Sequence, residues 1–231
     1  MAKLQNLSVF FPAYNEEDNI VRTVNKALDI FPSYAENFEV IIVNDGSGDR
    51  TKELAEEMAE KHANVRVVSH EKNRGYGGAL KSGFTSAKYE NVFYSDGDGQ
   101  FDLKEIEQLL PLVPECDITA GYRIKRNDPI HRIINGKAYN LLVRILFGLN
   151  VRDIDCAFKI IKKKVIENVD LKSESQFISA ELLIKAKKKG YSIKQVGVHH
   201  YPREKGKPTG NSIRAIIGSF SELFSLWREL L

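Results

Sequence analysis

The chain predicts an α/β fold with a mostly parallel sheet flanked by helices. Three observations carry that expectation. Short apolar runs alternate with segments of helical periodicity at a spacing of roughly 25 residues, the rhythm of strand–helix–strand units. Each run ends in turn-forming residues that bear carboxylates or amides. The 231 residues, 42% hydrophobic and 28% charged, suffice for one large domain, or one domain plus an extension.

The first strand is the apolar run Leu7 to Phe11, closed by Pro12-Ala13-Tyr14-Asn15. A helix follows from about Glu16, with Ile20, Val21, Val24, Ala27 and Leu28 on one face. Phe38 to Val43 is the second strand, and the turn Asn44-Asp45-Gly46-Ser47-Gly48-Asp49 ends it. Asp49 is the expected N-cap of a helix through His62 that carries Leu54, Met58 and Ala59. Val65 to Val68 makes the third strand, Gly75 to Ala87 the third helix and Asn91 to Ser95 the fourth strand. A helix from about Leu103 to Leu112 leads to a fifth strand near Ile118 to Ala120, and another helix is expected from Arg132 to Phe147.

Charge and cysteine content narrow the function classes. A net charge of +3 is modest for this length, so nucleic acid is not an expected partner. Cys116 and Cys156 lack metal-ligand spacing and are expected as free thiols in a reducing compartment. No signal region opens the chain, and no window reaches the ~18 uninterrupted apolar residues of a membrane span. A soluble, cytoplasmic body is expected.

In open α/β sheets ligands bind at the carboxyl ends of the strands. Here those ends carry Tyr14 and Glu16, then Asp45, then Asn73-Arg74-Gly75, then Asp96-Gly97-Asp98-Gly99-Gln100. Convergent carboxylates repel unless a cation or hydrogen-bond donors offset them, so a purely structural role is disfavoured. The Asp-Gly-Asp pair after a buried strand can aim two carboxylates at one hard cation, and the glycines let backbone approach a ligand. The Gly75 to Gly78 run lacks the spacing of a dinucleotide loop and is equally well read as close packing of a helix start on the sheet.

Taken in register, Pro12-Ala13-Tyr14-Asn15-Glu16-Glu17, Val43-Asn44-Asp45-Gly46-Ser47, Asn73 to Leu80 and Asp96 to Gln100 resemble the family 2 glycosyltransferases of GT-A fold. Within that family the likeness is to the dolichyl-phosphate mannosyltransferase and polyprenyl-phosphate glycosyltransferase branch, over about residues 7 to 205. The resemblance implies that Pro12, Ala13, Tyr14, Glu16 and Asp45 hold the nucleoside of a sugar nucleotide. It implies that Asp96, Asp98 and Gln100 bind Mg²⁺ or Mn²⁺ and the diphosphate, with Gly97 and Arg203 also on the donor. Asp98 is the first choice for direct ligation, whereas Asp96 could bind ribose or stand behind the ligand sphere. Tyr14 and Asp45 suit either uracil or guanine.

The acceptor is set beyond the fifth strand. By the same resemblance Arg123 and Arg132 clamp the phosphate of a polyprenyl acceptor, as guanidinium forks can. A lipid monophosphate is already largely anionic at neutral pH and attacks without a base. A sugar hydroxyl needs a carboxylate, for which Asp153 and Asp155 are the candidates, their other reading being to orient the local loop. In Asp153 to Lys159 an alanine, Ala157, stands where the branch usually has glycine. The family implies one in-line displacement with inversion. The alternatives carried are a soluble glycosyltransferase that extends a glycan hydroxyl, a sugar-nucleotide-binding regulatory module without turnover, and a nucleotidyltransferase, whose glycine-rich phosphate loop Pro12 to Glu17 replaces.

His199 and His200 are read as structural, facing opposite ways on a strand. From Ile213 to Leu231 a helical apolar stripe includes Ile216, Phe220, Leu223, Phe224 and Trp227. The expected division is a catalytic domain over 1–210 and an amphipathic helix over 211–231. That helix either lies on a membrane surface, docks an integral partner or packs on its own domain, and the Arg132 to Phe147 helix has the same choices. A peripheral position on the cytoplasmic membrane face follows from the lipid reading.

Overall fold

The computed structural model describes residues 3–124, 130–206 and 213–230. Its centre is one seven-stranded sheet, and its elements follow the chain in strict alternation at first. β1 (Leu4–Ala13) leads through α1 (Ile20–Ile30) to β2 (Ala35–Asn44), then α2 (Thr51–Lys61), β3 (Val65–Ser69), α3 (Gly75–Ser86) and β4 (Asn91–Ser95). A short α4 (Ile106–Leu109) precedes β5 (Ile118–Arg123) and the long α5 (Ile130–Phe147). β6 (Phe158–Lys162), α6 (Lys163–Asn168), α7 (Ile178–Lys188), β7 (Ile193–Val198) and α8 (Ile213–Leu230) complete it.

The strand order is β3-β2-β1-β4-β6-β5-β7. Strands β1 to β4 are mutually parallel, with Phe10 opposite Ile41 on one side and Tyr94 on the other. β6 runs antiparallel to both of its neighbours, so the sheet is mixed but mostly parallel. The central strands are buried on both faces, as a sheet covered by helices requires. Phe10, Phe84 and Tyr94 pack ring to ring across β1, α3 and β4. Gly83 makes this possible, because a Cβ there would lie 2.4 Å from the Phe10 ring. Gly83→Ala is expected to destabilise the protein by about 1–3 kcal/mol through overpacking, measured by denaturant unfolding.

Several sequence expectations are corrected. β6 escapes the sequence reading because it is short, and the strand expected at His199 and His200 lies just before them, as the part-buried β7. The single helix expected over Leu103 to Leu112 is one α-turn between two 3₁₀ segments, since Pro111 and Pro114 cannot donate helix hydrogen bonds. α1 starts at Ile20, four residues after Glu16, because Asn15 takes a left-handed backbone (φ 55°) and the Glu16 carbonyl accepts the Asn19 and Ile20 amides. The N-cap of α2 is Arg50, and Asp49 stands one residue before it, its Oδ1 accepting the Thr51 amide at 3.0 Å. His199 and His200 lie beyond β7, not on a strand.

The C-terminal helix packs partly on its own body. Leu223 and Leu226 are buried in the main core, and Phe220 meets Tyr139 of α5 at 5.6 Å between ring centroids. The side chains of 213–217 and the expected 210/211 boundary lie outside the described residues. No helix among the described residues is long and apolar enough to cross a membrane.

Candidate active site

A cleft of about 470 Å³ opens at the carboxyl ends of β1, β2, β4 and β5. It is lined by Pro12, Ala13, Tyr14, Glu16, Asp45, Asp96, Gly97, Asp98, Gln100, Arg123 and Arg203. These eleven positions, spread over nearly 200 residues of chain, meet because parallel strands place all their carboxyl ends on one side.

At the end of β2, Asp45 is buried and receives the Arg74 amide on Oδ1 at 2.8 Å. The His70 ring lies 2.6 Å from the same oxygen and reaches Ser82 Oγ with its other nitrogen at 2.8 Å. The carboxylate is thereby held in one orientation at the cleft wall. At the end of β1, Glu16 accepts from Asn19 Nδ2 at 2.8 Å and pairs with the Arg203 guanidinium. Burial nevertheless raises its pKa above the ordinary carboxylate value.

The β4 turn carries the acidic pair. Asp96 accepts the Tyr76 hydroxyl at 2.9 Å, and burial together with the Asp98 charge pushes its pKa up to about 7. Burial raises Asp98 as well, while its Oδ1 accepts the Gln100 amide at 3.0 Å. Gly97 seats this turn on β1, since a Cβ there would lie 3.0 Å from the Pro12 carbonyl. The Gln100 carboxamide donates to the Tyr201 carbonyl at 2.9 Å, and the Gln100 carbonyl accepts the Tyr201 amide at 2.8 Å. The turn is thus laced to the 199–206 segment. From that segment Arg203 brings its guanidinium to Glu16 and to within 3.9 Å of Asp98 Oδ2.

Two half-buried carboxylates with raised proton affinity form a site that a positive charge would stabilise. Among the described residues no three His, Cys, Asp or Glu side chains converge as a metal cage. The pair therefore fits a hard cation that completes its oxygen shell from a bound diphosphate and water, the habit of Mg²⁺ and of similar Mn²⁺ sites.

At the far end, Arg123 closes β5. Its Nε and Nη2 donate to Asp153 Oδ2 and Oδ1 at 2.6 and 2.8 Å, and its backbone amide also donates to Oδ2 at 3.2 Å. Burial opposes the Arg123 charge, but the Asp153 contacts more than reverse this, so its pKa lies above the ordinary value. Asp153 faces this guanidinium and Asp155 is exposed, and neither lines the cleft. Arg132 falls on α5, with its side chain outside the described residues.

Lys159, unmarked in the sequence, is fully buried beneath this region. It donates to the Tyr94 hydroxyl and the Ile154 carbonyl, both at 3.1 Å, and to the Cys156 carbonyl, which pins the loop carrying Asp153 to β6. Ala157 needs no glycine geometry, because Asn15 is the one described non-glycine residue with positive φ. Sequence reasoning also missed the cleft positions Glu174, Ser175 and Gln176, and it read His200, which lines the cleft, as structural. A Ser-Glu-Ser-Gln run carries no motif, so only the tertiary structure could bring it here. Both cysteines are buried and free.

The family model "Glycosyl transferase family 2" matches residues 8–170. Glycosyltransferase AglD of Haloferax volcanii is 31% identical over 97% of this chain, which spans 37% of that longer protein. Polyprenol monophosphomannose synthase of Mycolicibacterium smegmatis is 28% identical over 94% of this chain and 86% of its own length. Among solved structures, glucosyl-3-phosphoglycerate synthase from Mycobacterium tuberculosis with Mn²⁺, UDP and glucosyl-3-phosphoglycerate superposes with a TM-score of 0.75. It covers 96% of this chain and 79% of its own at 19% identity, a likeness in fold. Strand-end chemistry, the mixed GT-A sheet and the sequence match over 8–170 agree: this chain belongs to glycosyl transferase family 2.

Proposed function

We propose that the chain transfers a sugar, with inversion, from a nucleotide-sugar donor to a polyprenyl phosphate, with Mg²⁺ or Mn²⁺ held at Asp96 and Asp98. The observation that carries this reading is the cleft itself, which gathers the acidic pair, Arg203 within 3.9 Å of Asp98, and Arg123. Such a set suits a donor diphosphate over the β4 turn and an acceptor phosphate beside it. A bound divalent cation would supply Lewis-acid stabilisation of the leaving diphosphate.

The protein's own groups do the rest. Pro12 to Tyr14 and Asp45 bind the nucleoside, and the Arg203 guanidinium, exchanging Glu16 for phosphate oxygens, adds positive charge to the leaving group. Arg123, aimed by Asp153, orients the attacking phosphate. Arg132 is assigned to the same phosphate, and Gln100 to the cation's sphere. That both oxygens of Asp153 engage Arg123, and that Asp155 does not line the cleft, favours the phosphate acceptor, because a hydroxyl acceptor would need one of these carboxylates as a base.

Relatives named for polyprenyl acceptors support the same choice. The exposed apolar side chains Leu141 and Ile145 on α5 and Phe224 on α8 suit contact with a membrane surface, with residues 1–210 as the catalytic unit. Incubation of the protein with UDP- or GDP-sugars, Mn²⁺ and either polyprenyl phosphate or saccharide acceptors tests the proposal. Glycolipid product is expected, and turnover with saccharide alone overturns the lipid assignment.

A further inference from the structure

The cleft has a wall that the mechanism above leaves unused. The segment 173–176, between α6 and α7, places Glu174, Ser175 and Gln176 along the cleft beside Tyr76, whose hydroxyl binds Asp96. We infer that this segment reads the hydroxyls of the transferred sugar, with Gln176 the principal contact. The inference deepens the proposed function and rests on it.

Position comes first. A nucleotide laid along the strand ends has its nucleoside over β2 and β1 and its diphosphate over the β4 turn. The group on the outer phosphate then lies past Asp96 and Asp98, within the same cleft that Ser175, Gln176 and Arg123 line. That group is the sugar.

The wall is also rigidly seated. The Glu174 carbonyl accepts the Gly77 amide at 2.9 Å, and Glu181 accepts the Lys172 and Ser173 amides at 3.0 and 2.9 Å. A Cβ on Gly75 would lie 2.4 Å from the Glu174 carbonyl oxygen, and one on Gly77 would lie 2.5 Å from that of Ser173. The first turn of α3 can therefore approach this segment only backbone to backbone. Gly75 and Gly77 thus serve this close approach. Ser173 Oγ contacts Ser175 Oγ at 3.1 Å and bonds Glu222 of α8, so the serines brace the turn. Gln176 differs: it is exposed at the cleft, and among the described residues no hydrogen bond holds its carboxamide. A neutral amide offers both donors and an acceptor, which is the chemistry that distinguishes one sugar hydroxyl pattern from another.

The test is binding of UDP, GDP, UDP-glucose and GDP-mannose, each with Mn²⁺, to the wild type, Gln176→Ala and Gly77→Ala. For Gln176→Ala, affinity for the preferred sugar nucleotide is expected to fall about tenfold, or about 1.4 kcal/mol, while affinity for the bare diphosphate stays within about twofold. Gly77→Ala, if it folds, should show the same split. Unchanged sugar-nucleotide binding by Gln176→Ala overturns the inference, and so does an equal loss for the bare diphosphate. Failure of the wild type to bind any of the four overturns the proposed function as well, which separates the two results.

Discussion

Asp98→Asn is expected to lower the transfer rate by about a thousandfold or more while leaving the fold intact. The loss corresponds to about 4 kcal/mol of transition-state stabilisation, the scale on which a cation at a leaving diphosphate acts. The fold should survive because asparagine still offers Oδ1 to the Gln100 amide, the local contact that shapes the turn. Burial disfavours the Asp98 charge, so its removal relieves a cost in the ligand-free protein. The melting temperature without metal should therefore stay constant or rise, and added Mn²⁺ should no longer shift it. Single-turnover assays with the full chain, alongside thermal melts with and without Mn²⁺, check both parts. Retained turnover would remove Asp98 from the metal site.

The second large effect concerns stability. Asp153→Ala would strand the largely buried Arg123 guanidinium, whose two-pronged partner is only 9% exposed. Loss of one member of such a pair costs about 3–5 kcal/mol, which for a protein of this size lowers the melting temperature by on the order of 10 °C. The double variant Arg123→Leu with Asp153→Leu should recover much of that stability, since well-packed apolar side chains can replace a buried pair. It should not recover transfer, because the guanidinium is gone. Denaturant melts of the two variants decide the matter, and a loss below about 1 kcal/mol for Asp153→Ala would mean that the pair is effectively solvated.

These effects differ in how legible they were beforehand. Asp98 stood out in the sequence because a glycine-spaced acidic pair follows the run Asn91–Ser95, and a strand buried on both faces is a strong local signal. The same holds for Tyr14, Glu16 and Asp45, each just past a strand that apolar runs mark clearly. The partnership of Arg123 with Asp153 was not legible. The two lie 30 residues apart and meet through the antiparallel pairing of β5 with β6, a strand that local pattern did not reveal.

The sequence by itself determined the fold class and the chemistry of the cleft's near side, for a physical reason. In a parallel sheet every strand end faces the same way, so a list of strand ends is already a list of neighbours. Only the tertiary structure decided what lies on the far side. It inserted β6 antiparallel between β4 and β5, held Asp153 to Arg123, buried Lys159 beneath them and brought Gln176 into the cleft that Asp96 lines. Those placements depend on pairings between distant segments, whose energies come from packing and burial that no local window contains.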